Sequence, residues 1–292
     1  MASGTKAQAQ GANAAATGDA ALAVGAGTVA QGDSTTAVGD RAAATAADAT
    51  ALGQQTVASG EGSTATGKSA VASGESSLAS GRDAQATNEG SVAVGSGAQG
   101  TGFYAGAFGR GASASGIYST AVGSGANATG SNSTAVGSGA QAGYDNATAV
   151  GYNAQANAYN SVAVGNGSIA NQDNTFSVGA AGSERRITNV APGVYGTDAV
   201  NMDQFRWLDR KVDNNHDKAM AGIAIANSMP TVLPRESKRF AMTVGGGFYG
   251  GEEAVGVTAA GRLSDRLSVH GGFGAATGQS EYGGKVGVTL EW

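Results

Sequence analysis

The chain has no cysteine, two histidines and three prolines in 292 residues. Without thiols there is no disulfide framework and no thiolate metal site, which suits an exported envelope protein, although many soluble proteins also lack cysteine. Charged residues make up only 13% of the chain, with a formal net charge of -5. No Lys/Arg cluster stands ready to neutralise phosphates, which argues against nucleic acid as a partner. A run of eighteen apolar residues is also missing, so no transmembrane helix is expected. The opening MASGTKAQAQ has no charged segment leading into an apolar core, so no signal peptide is expected within this chain.

Glycine is what the chain has in excess, 50 residues of it. Thirteen of them stand fourteen residues apart: Gly11, Gly25, Gly39, Gly53, Gly67, Gly81, Gly95, Gly109, Gly123, Gly137, Gly151, Gly165 and Gly179. An aliphatic residue or Phe usually precedes the glycine, as at Val24, Phe108 and Val150, with Ala one place earlier; Thr66 and Ser80 interrupt that column. Fourteen residues are too few for a helical pair but suffice for two strands of about five residues and two turns, so the period predicts a stacked β-roll. The first strand shows as STAVG at 119 to 123 and 133 to 137, with Thr120 and Val122 on one face. Ala-x-Ala, as at Ala112 and Ala114, reads as the second. A second glycine often follows seven residues after the first, as at Gly18, Gly60, Gly116 and Gly130, where a sharp turn would need a φ that other residues resist. Ala46, Asn88, Tyr144, Ala158 and Gln172 mark that turn as looser. An interior of Ala, Val and Thr buries little apolar area per coil, so a single roll would be marginal. One apolar face is expected inside and another against neighbouring chains, and the residues alone do not say which column does which.

After Gly179 the texture changes to ERRITNVAPGVYGTDAVNMDQ at 184 to 204. Phe205, Leu208, Val212, Asn215, Ala219, Gly222, Ala226 and Met229 then alternate spacings of three and four, a heptad stripe that begins apolar and turns small. An ordinary amphipathic helix has the same spacing. The small residues Ala221, Gly222, Ala224 and Ala226 suggest instead close packing inside something narrow. From about Arg239 the period becomes two, over Phe240 to Phe248, Ala254 to Arg262, Leu267 to Ala275 and Lys285 to Trp292, with turns expected at 250 to 253, 264 to 266 and 278 to 284. Such segments match membrane β-strands, and a soluble four-stranded meander on a core alternates in the same way. Four strands cannot close a barrel, and an open edge in lipid leaves backbone groups unsatisfied. A membrane barrel must therefore be completed by other copies: three give twelve strands, with three small-residue helices filling the lumen. Gly245, Gly247, Gly256, Gly271 and Gly287 would leave room for that approach.

The order of parts resembles the YadA-like trimeric autotransporter adhesins over essentially the whole chain. The repeats, in forms such as NSVAVG at 160 to 165 and NSTAVG at 132 to 137, look like that family's head motif; RRITNVAPG and TDAVNMDQ look like its neck; AGIAIANSMP, GGGFYGGEEAVGV and the final Trp292 resemble its anchor. The resemblance implies a mainly β chain: a trimeric left-handed parallel β-roll head over 1–182, a neck over 183–204, a short parallel coiled coil and pore helix over 205–230, and a 12-stranded trimeric transmembrane β-barrel with four strands per chain over 231–292. It assigns the repeat turns to Gly95, Gly109, Gly123, Gly137, Gly151 and Gly165, and the neck to Ile187, Asn189, Val190, Asp198, Ala199, Val200 and Asn201. Phe205, Leu208, Val212 and Asn215 would form the coiled-coil core, Ala219, Gly222 and Ala226 would face the pore, and Trp292 would serve membrane insertion. The implied function is a homotrimeric adhesin of the bacterial outer membrane and cell surface, with outer-membrane lipid, the insertion machinery and an unknown host or matrix protein as partners. The stripe from Phe205 to Met229 spans only about 36 Å and has to serve as both stalk and plug.

Other chemistry finds little support. Gly95, Gly97 and Gly100 spell a dinucleotide fingerprint, but no long strand and helix flank them. His216 and His270 lie far apart in sequence with no cysteine near, so no metal, cofactor or catalytic site is expected. Glu252 and Glu253 read as a solvated turn, and Asn215 as a register-setting core residue. Phe103 and Tyr104 are either an exposed binding spot or, preferably, a packing irregularity. Two rival functions are weighed. An ice-binding or coating solenoid is suggested by Thr120, Thr134 and Thr148 but opposed by Val162 and Phe176 in the same column and by the anchor it leaves unexplained. An anchored structural spacer or autoaggregation module without a specific receptor is harder to exclude.

Overall fold

The computed structural model describes residues 1–278 and 280–292, so of the turn expected at 278 to 284, Gln279 lies outside the described residues. The chain divides into two compact units, Met1–Arg186 and Ile187–Trp292.

The first unit is a parallel β-solenoid of two facing sheets, one of thirteen strands and one of twelve, in which each strand pairs with its counterpart fourteen residues on. Thr120 pairs with Thr134, Ala121 with Ala135 and Val122 with Val136. The strands are shorter than the period suggests: full coils have three residues in one sheet, as at Thr134–Val136, and two in the other, as at Gln141–Ala142. The turns take the remaining residues, and they too bond from coil to coil, Asn132 N to Ile117 O at 2.7 Å and Asn146 N to Ser131 O at 2.9 Å. Turn N–H groups thus find carbonyls in the neighbouring coil, which helps so short a strand to persist.

The interior is alanine. Ala107, Ala112, Ala114 and Ala121 are fully buried, as are their equivalents in successive coils, and the largest fully buried side chains of the roll are Thr and Ser, such as Thr35 and Ser91. Valine is not enclosed: Val122, Val136 and Val150 point out of the roll and remain exposed in the single chain. The expected lining of Ala, Val and Thr is corrected in this respect. At the strand positions the space between the sheets is filled by the alanine methyl groups; the branched threonines that are enclosed stand beside the turns, where the hydroxyl finds a carbonyl, as Thr35 Oγ1 donates to Gly32 O at 2.7 Å, and valine stays outside.

Glycine works differently in its two columns. From Gly11 to Gly165 the lead glycines have φ between +115 and +138, closed to other residues, whereas Gly179 lies where the roll ends and lacks that φ. The column seven residues later was expected to need unusual φ as well, and it does not. Gly116 has ordinary φ, but a Cβ there would sit 1.9 Å from Gly130 O in the next coil, so close stacking excludes the side chain. The left-handed positions fall two residues further on, at every seventh residue from Lys6 to Asn174, with φ from 50 to 69. Each coil is two seven-residue halves.

The second unit joins an irregular segment, one helix and a meander. The helix runs Met202–Ser228 and the antiparallel strands are Phe240–Tyr249, Glu252–Ser264, Leu267–Ala276 and Tyr282–Leu290. Glu252 and Glu253 therefore lie in the second strand; the turn is Gly250-Gly251 alone, both at positive φ (+59 and +90), as a two-residue hairpin loop requires. Tyr282 and Gly283 likewise belong to the fourth strand, whose pairing stops at Leu290, leaving Trp292 outside it and fully exposed. The sheet is open, with the first and fourth strands as its edges.

Candidate functional site

The helix sits on one face of this sheet, and glycines make the seat. Ala221, Ala224, Ile225 and Ser228 are its buried residues. A Cβ at Gly247 would lie 2.1 Å from Ala224 O, one at Gly245 2.6 Å from Ser228 O, and one at Gly256 2.5 Å from Ser228 Oγ. Gly274 and Gly283, which the alternation alone did not single out, open space for Ser228 and Ile225. Gly271 and Gly287 do not serve this purpose: Gly271 faces Lys285 O and Val286, and Gly287 makes room for the ring of His270. Ser228 Oγ donates to Ile225 O at 2.7 Å.

Polar residues on the same face tie down the chain leaving the helix. The last helical turn carries no basic residue. Lys285 supplies the charge from the fourth strand, its Nζ donating to the cap carbonyl of Met229 and to Thr231 Oγ1 at 3.0 Å, which suits the negative end of the helix dipole. Thr258 donates to Pro230 O at 2.8 Å and Arg262 to Pro234 O at 3.3 Å. Met229 is buried there and so leaves the heptad stripe.

The rest of the stripe points away from the sheet. Phe205, Leu208, Val212, Asn215, Ala219, Gly222 and Ala226 are all exposed in the single chain, and a Cβ at Gly222 would meet nothing within 4 Å. The helix thus has one face matched to its own sheet and a second, apolar to small, without a partner. On the sheet's other side Phe240, Met242, Val244, Val257, Phe273, Val286 and Leu290 form a continuous exposed apolar band. No helix among the described residues is long and apolar enough to cross a membrane, which says nothing about strands.

Before the helix, the neck residues are organised by hydrogen bonds. Asn201 is the N-cap, accepting from Gln204 N at 3.1 Å, and the Gln204 side chain completes the capping box. Gln204, missed in the sequence, also bridges Gly193, accepting from its N at 2.8 Å and donating to its O at 2.9 Å. Asn201 Nδ2 donates to Val190 O at 3.2 Å. Asp198 Oδ2 accepts from Tyr195 N and Val194 N, both at 2.9 Å, and these backbone donors hold its carboxyl below the usual carboxylate range. Ile187, Asn189, Ala199 and Val200 are exposed, with Asn189 at φ +62.

The roll presents surfaces rather than a pocket. Phe103, Tyr104, Ile117 and Tyr118 form an exposed cluster at one turn edge, and the rings of Tyr104 and Tyr118 stack at 5.5 Å and 8°. The Tyr104 hydroxyl donates to Glu89 Oε1, which raises the phenol's pKa. The rings of Tyr104 and Tyr118 are thus a stacked feature of the single chain's surface. Gly95, Gly97 and Gly100 belong to ordinary coils. No cluster of three His, Cys, Asp or Glu is placed to hold a metal among the described residues.

Family models match most of the chain. The YadA head domain repeat matches 16–42, 44–70, 72–98 and five overlapping stretches between 101 and 181. The coiled stalk of trimeric autotransporter adhesins matches 186–223, and the YadA-like membrane anchor domain matches 232–292. Autotransporter adhesin EhaG of Escherichia coli O157:H7 is 37% identical over 133 residues, 38% of this chain and 8% of that protein. Autotransporter adhesin NhhA of Neisseria meningitidis serogroup B is 33% identical over 118 residues, 37% of this chain and 19% of that protein. The chain thus spans less than a fifth of either relative. Among solved structures, the collagen-binding domain of the Yersinia adhesin YadA matches at 24% identity and TM-score 0.36, over 72% of this chain and 89% of that one. The YadA membrane anchor matches at 20% identity and TM-score 0.29, over 36% of this chain and 97% of that one.

Proposed function

This chain belongs to the family of YadA-like trimeric autotransporter adhesins, and we propose on that basis that its roll attaches the bacterium to a host or matrix protein and to other bacteria. Membership implies a non-enzymatic protein of the outer membrane and cell surface. The observation that carries the reading is the pairing of a long repetitive surface with an apolar-faced sheet that has two open edges. Some twelve coils at about 4.8 Å make a rod on the order of 60 Å. Repetition lets weak contacts add by effective concentration, so attachment needs no deep pocket.

The anchor reading is that three copies close a twelve-stranded barrel around three helices, with the exposed stripe from Phe205 to Ala226 at the common axis and the apolar band towards lipid. Val122 and its column, left outside the roll, offer the heads a face to share. Trp292 is assigned to recognition by the outer-membrane insertion machinery. In the test, residues 183–292 are displayed without the repeats and compared with the full chain. Trimers on the surface with attachment lost support the assignment; attachment that survives moves the binding site out of the roll. A spacer without a receptor would show no attachment in either form.

Gly222→Phe tests the trimer separately. Gly222 is exposed and a Cβ there meets nothing in the single chain, so a loss of trimer points to neighbouring helices. The variant is expected to lose most of its trimer, measured as mass in detergent, by overpacking at the axis. A wild-type share of trimer would remove Gly222 from the axis.

A further inference from the structure

The roll departs from its own turn chemistry at one place. At every seventh residue the backbone is left-handed, and the occupants are glycine, asparagine, or small or flexible side chains, except at Tyr104 and Tyr118. Their φ values are 55 and 56, and a bulky aromatic side chain there is strained. Asn132, Asn146, Asn160 and Asn174 fill the same column further along without that strain. Nor does the single chain cover the two tyrosines or their neighbours: Phe103, Tyr104, Ile117 and Tyr118 are 46%, 49%, 47% and 60% exposed in it. Four adjoining large side chains are exposed in the single chain, and the two tyrosines among them stand on strained backbone.

What lies beside them points to a partner. Glu61, Glu75 and Glu89 occupy the column that Phe103 and Ile117 continue, one per coil, and all three are exposed. Glu89 Oε1 accepts the Tyr104 hydroxyl, which orients the ring and leaves Oε2 for an incoming cation. Tyr104 lies over Gly90, where a Cβ would sit 2.5 Å from the ring, so the stack is supported from the acidic side. We propose that this edge is a docking surface for a basic polypeptide segment, an arginine or lysine side chain resting on the tyrosine rings while Glu75 and Glu89 meet its charge. Cation–π attraction and carboxylate pairing act on the same group, each reinforced where the apolar neighbours exclude water. A second copy fits less well: an antiparallel pair centred on this edge would set Glu75 opposite Asp145, like charges face to face. The proposal rests on the adhesin reading and names the chemistry of a partner for it.

The experiment uses the full-length trimer in detergent, with an arginine-rich synthetic peptide, the same peptide with glutamate for arginine, and a neutral oligosaccharide as probes. The double variant Tyr104→Asn/Tyr118→Asn is expected to keep or raise the unfolding temperature of the roll, because Asn suits the left-handed backbone, while affinity for the basic peptide falls on the order of tenfold. Glu75→Gln/Glu89→Gln is expected to weaken the same binding and flatten its salt dependence. Undiminished peptide binding by the Asn variant overturns the proposal. So does a lowered unfolding temperature or loss of trimer in that variant, which would make the rings structural. Binding of the oligosaccharide in place of the basic peptide overturns the partner class. If cells bearing the Asn variant still attach and the basic peptide binds neither form, this proposal falls and the adhesin reading stands; only attachment that survives removal of the repeats strikes the latter.

Discussion

Gly247→Val is expected to leave almost no assembled anchor in the membrane, whereas Gly246→Val, one residue away, is expected to assemble normally. A Cβ at Gly247 would lie 2.1 Å from Ala224 O and 2.5 Å from Ser228 N, both backbone atoms of the helix, while one at Gly246 meets nothing within 4 Å. A backbone clash cannot be relieved by a rotamer change. The helix would have to lift off the sheet and give up the burial of Ala221, Ala224, Ile225 and Ser228. Overpacking of side chains costs typically about 1–3 kcal/mol, and displacing a helix adds to that. Gly246 faces the other way, towards the apolar band, where valine matches its neighbours. The measurement is the amount of trimer recovered from outer membranes for the two variants in parallel. Equal recovery would show that the helix does not dock on this face in the assembled protein.

Ala121→Leu is expected to produce the largest loss of stability in the roll, upwards of about 3 kcal/mol. Ala121 is fully buried in a strand whose neighbours above and below place Ala107 and Ala135 at the same point. Nothing larger than threonine is fully enclosed in the roll, so no flexible side chain is present to give way. Because each coil contacts only its neighbours, the damage should begin locally and appear as new protease sensitivity near residue 121 before global unfolding. Gln141→Leu, exposed on the outer face of the opposite sheet, should stay within about 0.5 kcal/mol of the parent protein. Chemical denaturation of the full chain compares the two. An Ala121→Leu protein as stable as the parent would mean that the interior has room which the alanine lining hides.

Much of this fold was legible because its signals are periodic. The lead glycines announced the coil, and alternation from Phe240 onwards announced four strands. The seat under the helix was partly legible: Gly245, Gly247 and Gly256 stood out as small residues on strands, but Gly274 and Gly283 differ from Gly271 and Gly287 only through the sheet register that sets them under Ser228 and Ile225. Gln204 gave a weak signal, three residues after Asn201, as half of a capping box. Phe103 and Tyr104 looked like a disturbance at a loose turn and Tyr118 gave no signal, since the seven-residue series of left-handed positions follows from backbone angles and has no single residue type to mark it.

The amino-acid sequence by itself determined the repeat length, the number of stacked coils, the succession of roll, helix and meander, and the alternation of each strand, because all of these are local geometry repeated along the chain. Only the tertiary structure decided which face of each strand is enclosed. Hydrophobicity alone would have put Val122 inside and Ala121 outside; the facing of the two sheets reversed that order, enclosing the alanine column and leaving the valine column outside. The same holds for the helix. Its heptad spacing is written in the chain, but the division into a buried face at Ala221, Ala224 and Ile225 and an unpartnered face at Ala219, Gly222 and Ala226 exists only once the glycine strands lie against it.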